Sequence, residues 1–108
     1  MKRVAEVAQD VEVIVREIRG CCAAGLKVGD RIVFRGANIV KEESGPLCGY
    51  ALSNIYPSIF AVRCGVNFAA MGMEGRVWQC TDPGPPWAPG GTAYFEIRPL
   101  HTEHSEES

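Results

Sequence analysis

The chain has 108 residues, a formal net charge of −2, 46% hydrophobic residues and 22% charged residues. This length predicts one globular domain that can bury enough apolar surface to fold without disulfides or metal ions. The weakly acidic charge argues against binding of nucleic acid through electrostatics. No apolar run approaches the roughly 20 residues of a membrane-spanning helix, so we expect no membrane insertion.

The first ten residues are interpreted as a short lead-in to the domain. Glu6 and Asp10 interrupt the apolar residues of this segment, which argues against a secretory signal peptide. We therefore expect a cytoplasmic protein, in which cysteines are mostly reduced. The chain has five cysteines, and because this number is odd, at least one thiol is free.

The first strand is predicted over residues 11–18, which are rich in β-branched side chains and largely alternate with charged ones. Three valines are expected to face the core: Val11, Val13 and Val15. Ile18 is out of phase with them, which indicates a β-bulge or the end of the strand near Glu17. The glycine-rich stretch that follows, residues 20–30, predicts a tight turn into a second strand at residues 31–35. The Gly29-Asp30 pair is interpreted as part of this turn rather than as a catalytic acid.

A helix is predicted to begin at Pro46, because proline is tolerated in the first helical turn. Ser44 or Gly45 is the expected N-cap. An apolar stripe at helical spacing follows, formed by Leu47, Ala51 and Ile55. The Tyr56-Pro57 pair is expected to stop or kink this helix. Residues 57–65 then form either a second short helix or, given their β-branched content, a strand.

The final two strands are predicted at residues 76–80 and 92–98, paired as a hairpin. The connection between them, residues 82–91, contains four prolines and three glycines, which excludes regular structure. The inward side chains of the last strand are expected to be Ala93, Phe95 and Ile97. Residues 101–108 are polar and acidic and are predicted to form a disordered tail.

These elements predict an α+β domain over residues 11–100. We expect a small antiparallel or mixed four-stranded sheet with one or two short helices packed on one face. The first and last strands should lie in the same sheet. The helical stripe should be buried against side chains from three strands, namely Val13, Phe34 and Phe95.

Three separated cysteines, Cys22, Cys48 and Cys80, carry the candidate chemistry. Each lies where a strand or helix is expected to begin or end, so we expect them to converge at one edge of the sheet. A disulfide between the adjacent Cys21 and Cys22 would be strained, and no Cys-x-x-Cys motif occurs. The spacing alone is weak evidence for a metal site, because cysteine is also a common small hydrophobe of protein cores.

The order of several short motifs resembles a family of small, functionally uncharacterised prokaryotic proteins. The family pattern is Gly-x-Cys-x-x-Gly-His-x-x-Gly-Asp, then Leu-Cys-x-x-Ala, Tyr-Pro, and Cys-Pro-Asp before a closing strand. The matching segments of this chain are residues 20–30, 47–51, 56–57 and 80–82, with the closing strand at 94–98. The likeness covers roughly residues 11–99 and implies no activity, since none is assigned to the family.

The resemblance places Cys22, Cys48 and Cys80 on the three cysteines of the family, whereas Cys21 and Cys64 fall outside the pattern. The chain departs from the family at two positions, with Leu26 in place of His and Thr81 in place of Pro. If the family's His is a fourth metal ligand, this chain lacks it. Asp82 and solvent are then the remaining candidates for that ligand.

Three functional hypotheses follow. The first is a metal or cofactor site on Cys22, Cys48 and Cys80, with Asp82 as a further candidate ligand; thiolates suit zinc, Cu(I) or an iron–sulfur cluster. The second is an accessory subunit with inert buried cysteines, which acts in a homo-oligomer or with a partner protein and contacts it through Trp87, Met71 and Met73. The third is a thiol redox protein, which is disfavoured because both histidines, His101 and His104, lie in the tail. None of the three assigns a reaction.

Overall fold

A computed structural model of the chain describes residues 8–100. These residues form a five-stranded antiparallel sheet with one α-helix packed on it. The strands are β1 (Val11–Gly20), β2 (Arg31–Arg35), β3 (Asn38–Ile39), β4 (Trp78–Gln79) and β5 (Gly91–Pro99), and the helix is α1 (Gly49–Arg63). The spatial order of the strands is β3-β2-β1-β5-β4. Short 3-10 turns occur at Lys41–Glu43 and Ala69–Met71.

The predicted α+β class is confirmed, with five strands in place of four and a single helix. Most of the predicted lead-in, residues 1–7, and all of the predicted tail, residues 101–108, lie outside the described residues. No helix within residues 8–100 has both the length and the apolar character needed to cross a bilayer.

The centre of the sheet is the antiparallel pair β1–β5, so the first and last strands do lie side by side. Their register runs from Val11 opposite Pro99 to Gly20 opposite Gly91, with one irregularity between Val15 and Glu17. This is the predicted bulge, and its consequence is visible in the pairing of Ile18 with the buried Ala93. The extra residue shifts the phase of β1 by one, so that Ile18 packs against the core.

The core lies between the sheet and α1. Inward residues of the three long strands contact the buried face of the helix, and the cluster includes Val11, Val13, Val15, Ile32, Phe34, Ala93, Phe95, Ile97, Ala51, Leu52, Ile55, Ile59 and Val62. Alternation along each strand and helical spacing in α1 place these side chains on facing surfaces. Burial of this apolar surface is the main force that holds the two layers together.

Two details of the predicted helix are wrong. The helix begins at Gly49 with Cys48 as its N-cap, three residues later than expected, and Leu47 therefore precedes it and is 42% exposed. Pro57 does not end the helix, which continues to Arg63. Pro57 and Ser53 both lie on the exposed face. The carbonyl that loses its helical donor to the proline ring can therefore be hydrated, and the helix tolerates the proline.

Candidate functional site

Cys22, Cys48 and Cys80 line one pocket of about 110 Å³, and Asp82 also lies in its wall. The pocket lies at the end of the sheet where β1 ends and where α1 and β5 begin. The fold therefore brings the three segments to one pocket, whereas sulfurs close enough to share an ion, as expected from the sequence, are not found among the described residues. All three thiols are free.

Cys80 is the most enclosed of the three thiols, with 9% of its surface exposed. It follows β4 directly, and its backbone N–H donates to the Ala93 carbonyl oxygen at 3.1 Å. The Ala93 N–H in turn donates to the Cys80 Sγ at 3.4 Å. The Cys80 Sγ also lies 3.9 Å from the carbonyl oxygens of Asp82 and Gly91. The Cys80 sulfur thus has one backbone N–H donor and two backbone carbonyl oxygens around it.

Cys48 and Cys22 are half-buried, and both lie in segments outside the sheet. Cys48 is the N-cap of α1, has extended backbone angles and makes no side-chain capping bond. Its thiol is therefore free of intramolecular capping. Cys22 belongs to the turn after β1, where the Gly25 N–H donates to the Cys22 carbonyl oxygen at 3.1 Å. One thiol is thus attached to a helix, one to the end of a strand and one to a turn.

The carboxylate of Asp82 has a structural task in the loop that follows. Its Oδ1 accepts a hydrogen bond of 2.8 Å from the Gly84 N–H. A side chain at Gly90 would collide with its Oδ2, because an added Cβ would lie 2.3 Å from that atom. Asp82 therefore organises the proline-rich connection while lining the pocket. Among the candidate ligands, both the Asp82 carboxylate and the Cys80 sulfur therefore already have hydrogen-bond partners within the protein.

The predicted turn role of Gly29-Asp30 is confirmed. The Asp30 Oδ2 accepts a hydrogen bond of 2.8 Å from the Lys27 N–H, and the Asp30 N–H donates to the Lys27 carbonyl oxygen at 2.9 Å. The same side chain packs against Gly45, where an added Cβ would lie 3.3 Å from Asp30 Cγ. Asp30 thereby holds the turn before β2 against the segment that leads to α1, which brings Cys22 and Cys48 to the same end of the sheet.

Leu26 also lines the pocket and is buried, with 5% of its surface exposed. This is the position at which the resembled family carries His. The four positions that the resemblance picks out, 22, 26, 48 and 80, therefore share one cavity. In this chain position 26 is occupied by a leucine, whose apolar side chain forms part of the wall and supplies no donor atom.

Cys21 and Cys64 are exposed and neither lines the pocket. Among residues 8–100, no three His, Cys, Asp or Glu side chains are already grouped as the ligands of a metal ion. No Lys, Arg or His of these residues lines the pocket either. The site is thus a cavity lined by three thiols and one carboxylate, and its potential ligands are not arranged around an ion.

Two parts of the site do not follow from the cysteine pattern. The Ala93 N–H that contacts Cys80 is one, and antiparallel pairing of the last two strands is the signal that would place Ala93 opposite Cys80. The other is the close approach of Gly20 to Gly91, which lines the pocket. An added Cβ on Gly91 would lie 2.4 Å from the Cys21 nitrogen and 2.5 Å from the Arg19 carbonyl oxygen, so a side chain there would push β1 and β5 apart.

A scan against protein-family models finds no match to the chain, and searches of curated proteins and of solved structures find none either.

Proposed function

We propose that the domain binds one soft metal ion, with Zn²⁺ as the first candidate, through the thiolates of Cys22, Cys48 and Cys80. The observation that carries the proposal is that these three thiols line one small pocket although they are far apart in the chain. Soft thiolate donors favour zinc, Cu(I) and iron–sulfur clusters over hard cations. Zinc sites with three protein ligands keep a fourth position for water or a substrate.

The environment of the thiols supports a metal over acid–base chemistry at the same place. Thiol redox catalysis and nucleophilic catalysis use a neighbouring base or cation to hold the thiolate. No basic side chain of the described residues lines this pocket. A bound cation would itself neutralise the thiolates, and the Ala93 N–H would support the charge on the Cys80 sulfur.

Binding would require the pocket to close, because the three thiols are not yet arranged as ligands. The Cys22 turn is the element that would move, because it lies outside the regular strands and helix, between β1 and β2. Cys48 and Cys80 are attached to the helix and to the sheet. We therefore expect slower amide exchange over residues 20–25 when metal binds.

The test is a metal titration of chain purified without oxygen and without a histidine tag. Co²⁺ is the probe, because thiolate coordination to it gives charge-transfer bands in the near ultraviolet and d–d bands in the visible, and Zn²⁺ then displaces it. One equivalent should bind to the wild-type chain. Cys22→Ser, Cys48→Ser and Cys80→Ser should each abolish tight binding. Cys21→Ser and Cys64→Ser are the matched controls and should bind as the wild type does.

A second variant tests the fourth position. Leu26→His adds an imidazole where the pocket has an apolar wall, and we expect tighter Zn²⁺ binding than in the wild type. The absorption spectrum of the protein as purified distinguishes an iron–sulfur cluster from zinc.

Failure of all wild-type metal binding, or equal loss in the Cys21 and Cys64 controls, would refute the proposal.

A further inference from the structure

The two broad faces of the domain differ in charge. The sheet face opposite α1 carries ion pairs, among them Arg16 with Glu96 and Arg98 with Glu12. The helix on the other face contains one charged residue, Arg63, at its last position. A helix with one buried face ordinarily presents charged and polar side chains to solvent on the other. The outer face of α1 departs from this rule, because the surface that meets water is uncharged along the helix up to its last residue.

The exposed residues of α1 form one stripe along the helix. Its members are Tyr50, Ser53, Pro57 and Phe60, all of them exposed. Their alternating spacing of three and four residues is that of helices that pack against a second helix. Tyr50 is 79% exposed and Phe60 is 65% exposed. Since the helix rises by about 1.5 Å per residue, the two rings stand about 15 Å apart, with the two smaller side chains between them.

The polar side chains on this face already have partners within the protein. The Ser53 Oγ donates to the Tyr50 carbonyl oxygen at 2.8 Å, and the Asn54 Nδ2 donates to the Gln79 carbonyl oxygen at 2.8 Å. Covering them costs little, because a hydrogen-bonded polar group loses less on leaving water than an unpaired one. The Ser53 carbonyl oxygen, whose helical donor is missing at Pro57, needs a bridging water, which protein interfaces commonly contain.

The stripe is complementary to itself. Antiparallel packing of two copies of α1 about a two-fold axis places Tyr50 beside Phe60 of the second copy and Ser53 beside Pro57 of the second copy. Aromatic rings then meet at both ends, and the smaller side chains in the middle let the helix axes approach. The stripe contains no charged residue, so two identical surfaces meet without electrostatic repulsion. The net charge of −2 adds little repulsion at longer range.

The exposed apolar area suffices for a dimer of low affinity. An enclosed aromatic side chain buries about 150–250 Å², so Tyr50, Phe60 and the neighbouring Tyr56, which is 44% exposed, offer about 300–450 Å² per copy. Two copies thus bury about 600–900 Å² from these rings alone. The smaller side chains between the rings bring the total to about 1,000 Å², which is the lower limit for a specific interface.

We propose that the chain forms a two-fold symmetric homodimer through the outer face of α1, with the two helices antiparallel and Tyr50 of each copy packed beside Phe60 of the other. The dimer is reversible and forms at micromolar concentrations. Tyr50 also lines the cysteine pocket, but the dimer does not depend on metal binding there.

Sedimentation velocity of the full chain tests the proposal, with EDTA and reductant present so that neither metal nor a disulfide of the exposed Cys64 links two copies. The mass should rise reversibly from 11.7 kDa towards twice that value between about 1 µM and 1 mM. Phe60→Glu should weaken association at least about tenfold, because it buries a charge in the interface. Val28→Glu is the matched control, since Val28 is 64% exposed but lies in the turn before β2, and it should associate as the wild type does.

A charge swap tests the antiparallel arrangement. Tyr50→Lys combined with Phe60→Glu places an ammonium group beside a carboxylate of the second copy at both ends of the stripe. Within one chain these positions are about 15 Å apart, so they pair only between copies. The double variant should associate about threefold to tenfold more tightly than Phe60→Glu alone. At about 1 µM, where the chain is monomeric, each variant should unfold in urea as the wild type does, which controls for an intact fold.

A wild-type chain that stays monomeric at about 1 mM would overturn the proposal. Equal weakening by Val28→Glu, or no recovery in the double variant, would overturn it too. The Gln9 N–H donates to the carbonyl oxygen of Arg63, at the end of α1, at 2.9 Å, so the chain before Gln9 starts beside this helix. Association that appears only after residues 1–7 are removed would therefore count against the dimer, in favour of the chain's own N-terminal segment as the occupant of this face.

Discussion

Glu12 of β1 lies directly opposite Arg98 of β5, and the Arg98 Nε donates a hydrogen bond of 3.0 Å to the Glu12 Oε1. Arg31 of β2 donates to the other carboxylate oxygen at 2.7 Å. The Glu12 side chain is 7% exposed and lies on the sheet face opposite α1. One carboxylate thus connects the three central strands, and both of its oxygens are paired.

This arrangement predicts how stability depends on pH. Burial raises the pKa of Glu12, but hydrogen bonds from Arg31 and Arg98 lower it by more, and the net pKa lies below the ordinary value of 4.5. A group with a lowered folded-state pKa contributes stability above its unfolded pKa and loses it as pH falls through the folded pKa. The free energy of unfolding should therefore fall below pH 4.5 more steeply in the wild type than in Glu12→Gln.

At neutral pH, Glu12→Gln should lower the free energy of unfolding by about 1–3 kcal/mol, because both arginines lose a charged acceptor. Urea denaturation across the pH range measures both effects. The exposed Glu42 provides the control, since Glu42→Gln should change stability by less than about 0.5 kcal/mol. Parallel pH profiles for the wild type and Glu12→Gln would count against the role assigned to Glu12.

The buried face of α1 predicts a large cost for truncation. Ile55 is 1% exposed and Leu52 is 4% exposed, so Ile55→Ala or Leu52→Ala should each cost about 2–5 kcal/mol through lost contacts and a cavity. Phe60 is 65% exposed on the same helix, and Phe60→Ala should be nearly neutral. Thermal or urea unfolding measures all three variants, and equal costs would contradict the observed face of the helix.

The contact between Gly20 and Gly91 predicts that neither position accepts a side chain. In Gly91→Ala the methyl group would lie 2.4 Å from the Cys21 nitrogen and 2.5 Å from the Arg19 carbonyl oxygen. Both are backbone atoms, so neither can rotate away as a side chain could. We expect a loss of roughly 2–3 kcal/mol, together with perturbed NMR signals around Cys22 and Cys80. Gly49→Ala is the matched control, because no atom lies within 4 Å of its added Cβ. A stable, unperturbed Gly91→Ala variant would contradict the close approach.

The helix through Pro57 predicts a stabilising substitution. Pro57→Ala restores a backbone donor and removes the ring from the helix interior. We expect the free energy of unfolding to rise by about 1–3 kcal/mol and the helical circular dichroism signal to increase slightly. A fall in stability would show that the proline is needed to shape α1 where it meets the sheet.

Local pattern was sufficient for much of the scaffold. The alternation of Val11, Val13 and Val15 identifies the inner face of β1. Successive side chains of a strand point to opposite faces, so an apolar Ile18 that is out of phase with the valines indicates one extra residue, the bulge. The predicted hairpin and the inward residues Ala93 and Phe95 are confirmed for the same reason. Helix boundaries were less well determined, since Pro46 is compatible with a first turn but does not require one there.

The tertiary structure alone decided what the cysteines share. Their spacing of 26 and 32 residues has no meaning until β1, α1 and β5 are placed side by side. Only then do Cys22, Cys48 and Cys80 line one cavity, with Leu26 closing the position that the family resemblance assigns to His. Such features depend on contacts between distant segments, and local periodicity carries no record of them.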